Sequence, residues 1–255
     1  MPTPTVINQY RFNDAMSRNL WDQNYQYENW KNVPITAAKA GGATSGTATN
    51  ILYTPYLHLE YQPHGTQTIL APVVVAVSEG VSALNIGMDQ TDNDGIELCA
   101  GILNTNNLAF KIGDDAAFFI RVRFSIAVVA GTDDCAVGFR LAEAYQTANI
   151  DDYNDMAVLN VISGDIKIET ILNGAATVTT DTTQNWANAE THQLEVKVSN
   201  AGVVTYTIDN SAPTVTAAYT FTDGIYVVPF MFFVHANAAQ AGAVNIFEWE
   251  CGFQS

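Results

Sequence analysis

Basic residues are scarce in this sequence. Its 255 residues include 10 lysines and arginines against 26 aspartates and glutamates, which gives a formal net charge of −16. Nucleic acids and anionic membranes are bound through clusters of basic side chains. The composition therefore excludes both classes of partner.

Long apolar runs and cysteines are also few. The longest strongly apolar run, Ile225 to Val234, is too short to cross a bilayer and predicts a strand buried on both faces. Residues 1 to 20 lack the apolar centre of a signal peptide, so we expect an unexported chain. Cys99, Cys135 and Cys251 show no metal-ligand spacing. We expect them to be buried free thiols in a reducing compartment.

The motifs of common enzymes and cofactor sites are missing. There is no G-x-S-x-G, no phosphate-binding glycine loop and no dinucleotide fingerprint. Glu248 and Glu250 lie two apart, as paired glycosidase carboxylates do on a strand, but the E-x-D-x-x-E pattern of jelly-roll glycanases is absent. We expect both on a solvated outer face, with Phe247, Trp249, Cys251 and Phe253 inward. The sequence predicts no enzyme, no catalytic residue and no cofactor.

Carboxylates gather in the turn DQTDNDG, where Asp89, Asp92 and Asp94 precede Gly95. Hard cations need several oxygen ligands from such a loop, but a calcium loop in this register would begin at Gln90 and lacks its closing glutamate. An Asx-rich turn is the better interpretation, with a bound cation as the alternative. No metal ligand is predicted. The remaining acidic pairs, Asp133-Asp134 and Asp151-Asp152, are expected to be loop carboxylates.

The clearest pattern is the stretch HQLEVKVSNAGVVTYTIDN, residues 192 to 210. Leu194, Val196 and Val198 alternate with polar residues, and the alternation resumes after a turn at Asn200-Ala201-Gly202. Side chains of a strand point alternately to opposite faces, so the pattern predicts a hairpin with one buried face and its charges in water. A second sheet must cover that face.

Similar alternation fills the rest of the chain after residue 50. The runs FFIRVRFSIAVV and CAVGFRLA are joined by a short loop, so we expect them to be neighbouring strands. MAVLNVISGDIKIETIL predicts a second hairpin that turns at Ser163-Gly164. The predicted core includes Phe118, Ile120, Val122, Phe124, Val137, Phe139, Leu194, Val196, Tyr206, Ile208, Phe230 and Trp249.

About a dozen such strands, with no long amphipathic helix among them, define the fold class. The sequence predicts an all-β, two-sheet antiparallel jelly-roll sandwich over residues 51 to 255. Residues 1 to 50 are predicted to be an irregular N-terminal arm and linker, because they contain several prolines and the stretch AGGATSGTATN.

The arm differs from the body in charge and in aromatic content. Residues 1 to 50 carry four basic and three acidic side chains, a net +1, so the other 205 residues carry −17. Trp21, Tyr25, Tyr27 and Trp30 are the candidate interface residues, in a segment that could form a short helix. Two interpretations stay open at this point. The segment is either a strap over its own sandwich or a docking arm for another subunit.

From about Gly95 to Phe253, the succession AFFIRVRFSIAVV, DDCAVGFRLAEAY, NDMAVLNVISGDI, THQLEVKVSNAGVVTYTIDN, VVPFMFF and NIFEWECGF resembles concanavalin A-like (laminin G-like) jelly rolls. More narrowly, DGIEL, DDCAVGF, HQLEV, VVPF and WECG resemble virion structural proteins of tailed phages, notably marine and cyanobacterial ones. The shared motifs are structural, and they span about 60% of the chain.

This resemblance implies a capsid decoration (cement) protein, or a protein of the tail or fibre. It implies a virion location after assembly in the host cytoplasm. The expected partners are the major capsid protein or other virion proteins, and further copies of the chain in a homo-oligomer. The alternative is a carbohydrate-binding, lectin-like adhesion module whose ligand is a glycan.

Overall fold

The computed structural model describes residues 25–29, 39–40, 50–53, 58–65, 72–87, 90–99, 109–146, 149–236 and 239–254. Within them the chain forms seventeen strands. In chain order these are β1 (Tyr25–Asn29), β2 (Lys39–Ala40), β3 (Asn50–Tyr53), β4 (His58–His64), β5 (Val73–Ser78), β6 (Val81–Asn85), β7 (Gly95–Cys99), β8 (Phe110–Lys111), β9 (Phe118–Ile126), β10 (Thr132–Leu141), β11 (Met156–Ile162), β12 (Asp165–Ile171), β13 (Val178–Asn185), β14 (Thr191–Val198), β15 (Val204–Ile208), β16 (Tyr226–His235) and β17 (Val244–Phe253). Two short 3-10 turns, Val129–Gly131 and Ile150–Asp152, complete the regular structure of this part of the chain.

The strands form two antiparallel sheets, which confirms the predicted sandwich. The seven-stranded sheet has the order β15-β14-β9-β17-β6-β5, and β1 also pairs with β17. The ten-stranded sheet has the order β13-β12-β11-β10-β16-β7-β4-β3-β2, and β8 also pairs with β16. None of the described helical segments is long and apolar enough to cross a membrane.

The hairpin of β14 and β15 has the single buried face that the alternation predicts. Leu194 pairs with Ile208, Val196 with Tyr206 and Val198 with Val204. All six side chains lie in the main core. The charges are less solvated than expected, because Glu195 is only 4% exposed.

The predicted turn at Ser163-Gly164 is also confirmed, since it joins β11 to β12. Both turn residues have positive φ, 52° at Ser163 and 95° at Gly164. Two central residues with positive φ define the turn whose twist matches that of a hairpin. Glycine takes this conformation without strain, which explains its place there.

The expectation that FFIRVRFSIAVV and CAVGFRLA are neighbouring strands is wrong. The first run forms β9, which lies between β14 and β17 in the seven-stranded sheet. The second forms β10, which lies between β11 and β16 in the ten-stranded sheet. The 3-10 turn Val129–Gly131 carries the chain from one sheet to the other. A short connection can therefore cross the core as well as close a hairpin.

The main core lies between the two sheets. It contains every residue of the predicted core except Phe230. Phe230 is buried in a second cluster with Tyr153, Met156 and Phe232 on the opposite face of the ten-stranded sheet. Strand β16 therefore contributes Met231 to the main core and Phe230 to the second cluster. This confirms the prediction of a strand buried on both faces.

The cysteines and the tryptophans of the sandwich are internal. Cys99, Cys135 and Cys251 are all buried and free of disulfides, as predicted. Trp249 is buried in the main core, and Trp186 is 2% exposed with its ring centroid 4.6 Å from that of Phe124. The sandwich therefore presents neither tryptophan as an exposed platform.

Two segments of the predicted arm and linker are strands, namely β1 and β2, which pairs with β3. Residues Tyr25–Asn29, for which a helix was expected, form β1 and pair with β17 from Tyr25 opposite Gly252 to Asn29 opposite Glu248. Backbone groups at the edge of β17 find partners in this way, and a helix would leave them unpaired. Trp21 and Trp30 lie outside the described residues. The division of the chain at residue 50 stays a prediction.

Candidate functional site

The outer face of the ten-stranded sheet contains a buried ion pair. Glu97 lies on β7 and Arg140 on β10, and Arg140 Nε donates to Glu97 Oε1 at 2.7 Å. The Tyr153 hydroxyl donates to the other carboxylate oxygen of Glu97. The side chains of the ion pair are 1% exposed or less. The outer face of this sheet is therefore closed here, not open to solvent.

Aromatic rings surround the guanidinium group. Its central carbon lies 4.6 Å from the ring centroid of Tyr153, 5.3 Å from that of Tyr145 and 5.6 Å from that of Phe230. Arg140 Nη1 also donates to the backbone oxygens of Leu141, at 2.9 Å, and Glu143, at 3.1 Å. Arg140 lies one residue before the end of β10. Its two bonds to backbone oxygens hold the segment that follows β10 against the sheet.

The pKa values of both members of this pair are shifted upward. Burial raises the pKa of Glu97, while Arg140 and the hydrogen bond from Tyr153 act in the opposite direction. Burial lowers the pKa of Arg140, but the Glu97 carboxylate raises it further, so the net shift is upward. A buried carboxylate that accepts two hydrogen bonds, one from a guanidinium, is stabilised as the anion. The chemistry of this cluster is that of a structural link, because its groups do not reach solvent.

A second polar cluster lies on the same face, across four adjacent strands. Asn160 Nδ2, on β11, donates to Asp134 Oδ1 on β10 at 2.6 Å and to Glu169 Oε2 on β12 at 2.7 Å. Thr179 of β13 donates to the other oxygen of Glu169 at 3.1 Å. Burial raises the pKa of Asp134 to about 7, with Glu169 adding to the increase and the hydrogen bond from Asn160 opposing it.

This cluster corrects the assignment of Asp133 and Asp134 to a loop, since both belong to β10. Asp151 and Asp152 lie in the 3-10 turn Ile150–Asp152. Asp134 was missed because alternation alone marks it only as a polar position near a turn. The signal that could have found it is its face: Asp134, Ala136 and Arg140 alternate with the core residues of β10.

The pair Glu248 and Glu250 on β17 lies in a charged row on the outer face of the other sheet. Arg121 contacts Glu250, and its Nη1 lies 3.7 Å from Glu195 Oε1. Lys197 Nζ lies 2.9 Å from Glu195 Oε2. Opposite charges on neighbouring strands stabilise the sheet in this way. Arg121 thus forms cross-strand ion pairs, while Lys197 and Glu195 pair along the single strand β14.

Phe247 does not point into the core as expected. A register shift between Ile246 and Glu248 inserts one extra residue into β17. The shift leaves Ile246 and Trp249 inside the main core. Phe247 instead packs against Arg123, whose guanidinium carbon lies 5.7 Å from the centroid of the Phe247 ring. A β-bulge of this type reverses the face of one side chain, which strict alternation cannot foresee.

The acidic turn before β7 has the features of an Asx-rich turn. Asn93 has a φ of 61°, and the Asp94 amide donates to the Thr91 carbonyl at 3.1 Å. Asp94 is 2% exposed, and Asp89 lies outside the described residues. In the part of the chain that the structure describes, no three histidine, cysteine or acidic side chains are placed to hold a metal ion. The alternative of a bound cation stays untested.

Of the four candidate interface residues, the structure places the backbones of Tyr25 and Tyr27. Both are in β1, opposite Gly252 and Glu250 of β17. This pairing is the geometry of a strap over the chain's own sandwich. The docking role of Trp21, Tyr25, Tyr27 and Trp30 stays a prediction.

Comparison with known proteins finds similarity in fold but not in sequence. No family model matches the sequence, and no curated protein matches it either. Among solved structures, the carbohydrate recognition domain of Emp46p in its potassium-bound form has a TM-score of 0.52 at 10% identity, covering 76% of this chain and 89% of that one. The carbohydrate recognition domain of Emp47p has a TM-score of 0.52 at 11% identity, covering 90% of this chain and 98% of that one.

A protein of unknown function from Shewanella oneidensis, SO2946, is similar to the same extent. Its TM-score is 0.50 at 15% identity, with 90% of this chain and 86% of that one covered. Identities this low show the fold alone. The fold is a concanavalin A-like β-sandwich, as the resemblance in sequence implied.

Proposed function

We propose that the protein is a non-enzymatic structural protein of a phage virion that decorates and stabilises the capsid surface. The motifs DGIEL, DDCAVGF, HQLEV, VVPF and WECG support the virion assignment through their resemblance to phage structural proteins. Tail or fibre is the second location that the same resemblance supports.

The observation that carries this proposal is the closed outer face of the ten-stranded sheet. Glu97, Arg140 and Tyr153 fill that face, and each is 1% exposed or less. A ligand groove needs exposed polar and aromatic groups, and here such groups bind one another. Trp186 and Trp249 are buried as well. This part of the sandwich is built for stability, which is what a shell protein requires.

The arm provides the means of attachment in this proposal. The net charge of +1 on residues 1 to 50 allows close approach to another protein, while the −17 of the body keeps the sandwiches in solvent. Trp21, Tyr25, Tyr27 and Trp30 supply aromatic area of the kind that dominates interfaces. The partner is the major capsid protein or another virion protein.

The test uses particles that lack this protein, to which purified chains are added. The full chain should sediment with the particles and raise the temperature at which they release their DNA. Deleting residues 1 to 24 keeps β1 and removes only Trp21 of the four aromatic residues, so the shortened chain should stay folded but bind the particles more weakly. Deleting residues 1 to 40 removes β1 as well and shows whether the strap is needed for folding. Full binding by the chain that lacks residues 1 to 40 would refute attachment through the arm.

Glycan binding is the second candidate function. The specific observation in its favour is the fold, which the chain shares with the carbohydrate recognition domains of Emp46p and Emp47p. A glycan array probed with the full chain separates the two candidates. Saturable binding to one glycan class would support an adhesion module, and an array without signal would leave the structural role as the better explanation.

A further inference from the structure

One edge of the seven-stranded sheet is both open and apolar. Strand β5 pairs with β6, and in the described part of the chain it pairs with no other strand. Val73 is 50% exposed and Val77 is 43% exposed. The strand VVVAVS contains no charged residue. Edge strands normally avoid such composition, because an apolar edge with free backbone groups is a template for pairing with another chain.

Two other described edges, those of β15 and β13, are protected. The amide of Val204, on β15 at the opposite end of the same sheet, donates to the Tyr219 carbonyl at 3.0 Å, and Val203 forms an isolated bridge with Thr220. Strand β13, at one end of the ten-stranded sheet, has the polar sequence VTTDTTQN. Asp181 and the threonines of β13 are the protection that β5 lacks.

The charge distribution favours a second copy of the chain as the pairing partner of β5. The hairpin of β5 and β6 carries one charged residue, Glu79 at its turn, in a chain with a net charge of −16. Contact between two copies elsewhere brings carboxylates together, whereas contact along β5 brings valines together. Antiparallel pairing about a two-fold axis places the same strand on both sides of the interface. Valine pairs across the two strands then stabilise it.

We propose that β5 is a homotypic interface, through which the seven-stranded sheets of two copies join edge to edge. The occupant of the edge is the β5 of a second copy. The backbone hydrogen bonds of the two strands provide affinity, and the exposed valines become buried. This inference does not depend on a virion role, since it concerns the sandwich alone.

Sedimentation velocity over a range of protein concentrations tests the proposal. The full chain should form dimers. Val73→Lys and Val77→Lys place a charge on the edge at exposed positions, and each should raise the Kd of the dimer by about tenfold or more. Val178→Lys is the matched control, because Val178 is a 60% exposed valine on the edge strand of the other sheet. That variant should dimerise as the parent does.

Two further measurements sharpen the result. Added salt should strengthen the dimer, because it screens the repulsion between two anionic chains. Amide hydrogen exchange at β5 should slow as the dimer forms. A chain that is monomeric at all concentrations overturns the proposal, even if it then binds capsid protein through β5. Equal weakening by Val178→Lys also overturns it. Circular dichroism checks folding, and either β5 variant is sufficient for the test if the other does not fold.

Discussion

Arg140 and Glu97 form an ion pair in which one side chain is 1% exposed and the other is fully buried. Removing one partner of such a pair leaves an uncompensated charge, whereas replacing both with apolar groups can be neutral or stabilising. The pair joins β7 to β10. Tyr153, which directly follows the 3-10 turn Ile150–Asp152, donates a hydrogen bond to Glu97.

Glu97→Leu and Arg140→Met should therefore each lower the free energy of unfolding by about 3 to 5 kcal/mol. The double replacement Glu97→Leu with Arg140→Met should recover most of that loss. Urea denaturation of the three variants measures this directly. If the double variant is as unstable as the sum of the single ones, the two side chains act independently and the link is not an ion pair.

Phe124 lies at the centre of the main core, on β9, with its ring centroid 4.6 Å from that of Trp186. Its side chain has no solvent exposure. Phe124→Ala removes this ring and leaves a cavity, so the free energy of unfolding should fall by about 3 to 5 kcal/mol. Val178→Ala, at an exposed site, should change it by less than about 0.5 kcal/mol. A Phe124→Ala protein as stable as the parent would contradict the assigned core.

The three cysteines should remain reduced and be dispensable for assembly. Burial raises the pKa of Cys99 and of Cys251 to about 12, so neither forms the reactive thiolate at neutral pH. A thiol reagent should therefore label the folded chain slowly, and all three positions should react after denaturation in guanidinium chloride. Replacing all three with alanine should leave assembly intact. A disulfide in the native particle would be evidence against both expectations.

Period-two alternation was enough to predict the faces of most strands. It predicted that Leu194 and Ile208 lie on the buried face of a hairpin and that Phe124 is buried, because one face of each strand must pack against the other sheet. It could not predict that β9 and β10 belong to different sheets, since alternation gives the face of a side chain and not the neighbour of a strand.

The polar sites were harder to predict for a related reason. Arg140 alternates with core residues, so its position suggests an exposed side chain, but the ten-stranded sheet is buried on both faces around it. The cluster of Asp134, Asn160 and Glu169 forms only when three strands come together in the correct register. Side chains that meet from separate strands leave no spacing signal in the sequence.

Asp134 should make the stability of the protein depend on pH. Its pKa in the folded chain is about 7, above the ordinary 3.8, because burial and Glu169 disfavour the charged form. The folded state therefore binds this proton more tightly than the unfolded state does, and the free energy of unfolding is highest when Asp134 is protonated. Stability should fall as the pH rises from about 4 to about 7, by on the order of 1 to 2 kcal/mol once solvent screening at this partly exposed group is taken into account. Asp134→Asn should remove this part of the pH dependence and raise stability at pH 8, whereas Asp133→Asn, at the exposed neighbour, should change both much less, because the charge of Asp133 contributes less than burial and Glu169 to the raised pKa of Asp134. Thermal unfolding of the three proteins between pH 4 and pH 8 provides the measurement, and parallel curves for the parent and Asp134→Asn would show that Asp134 titrates normally.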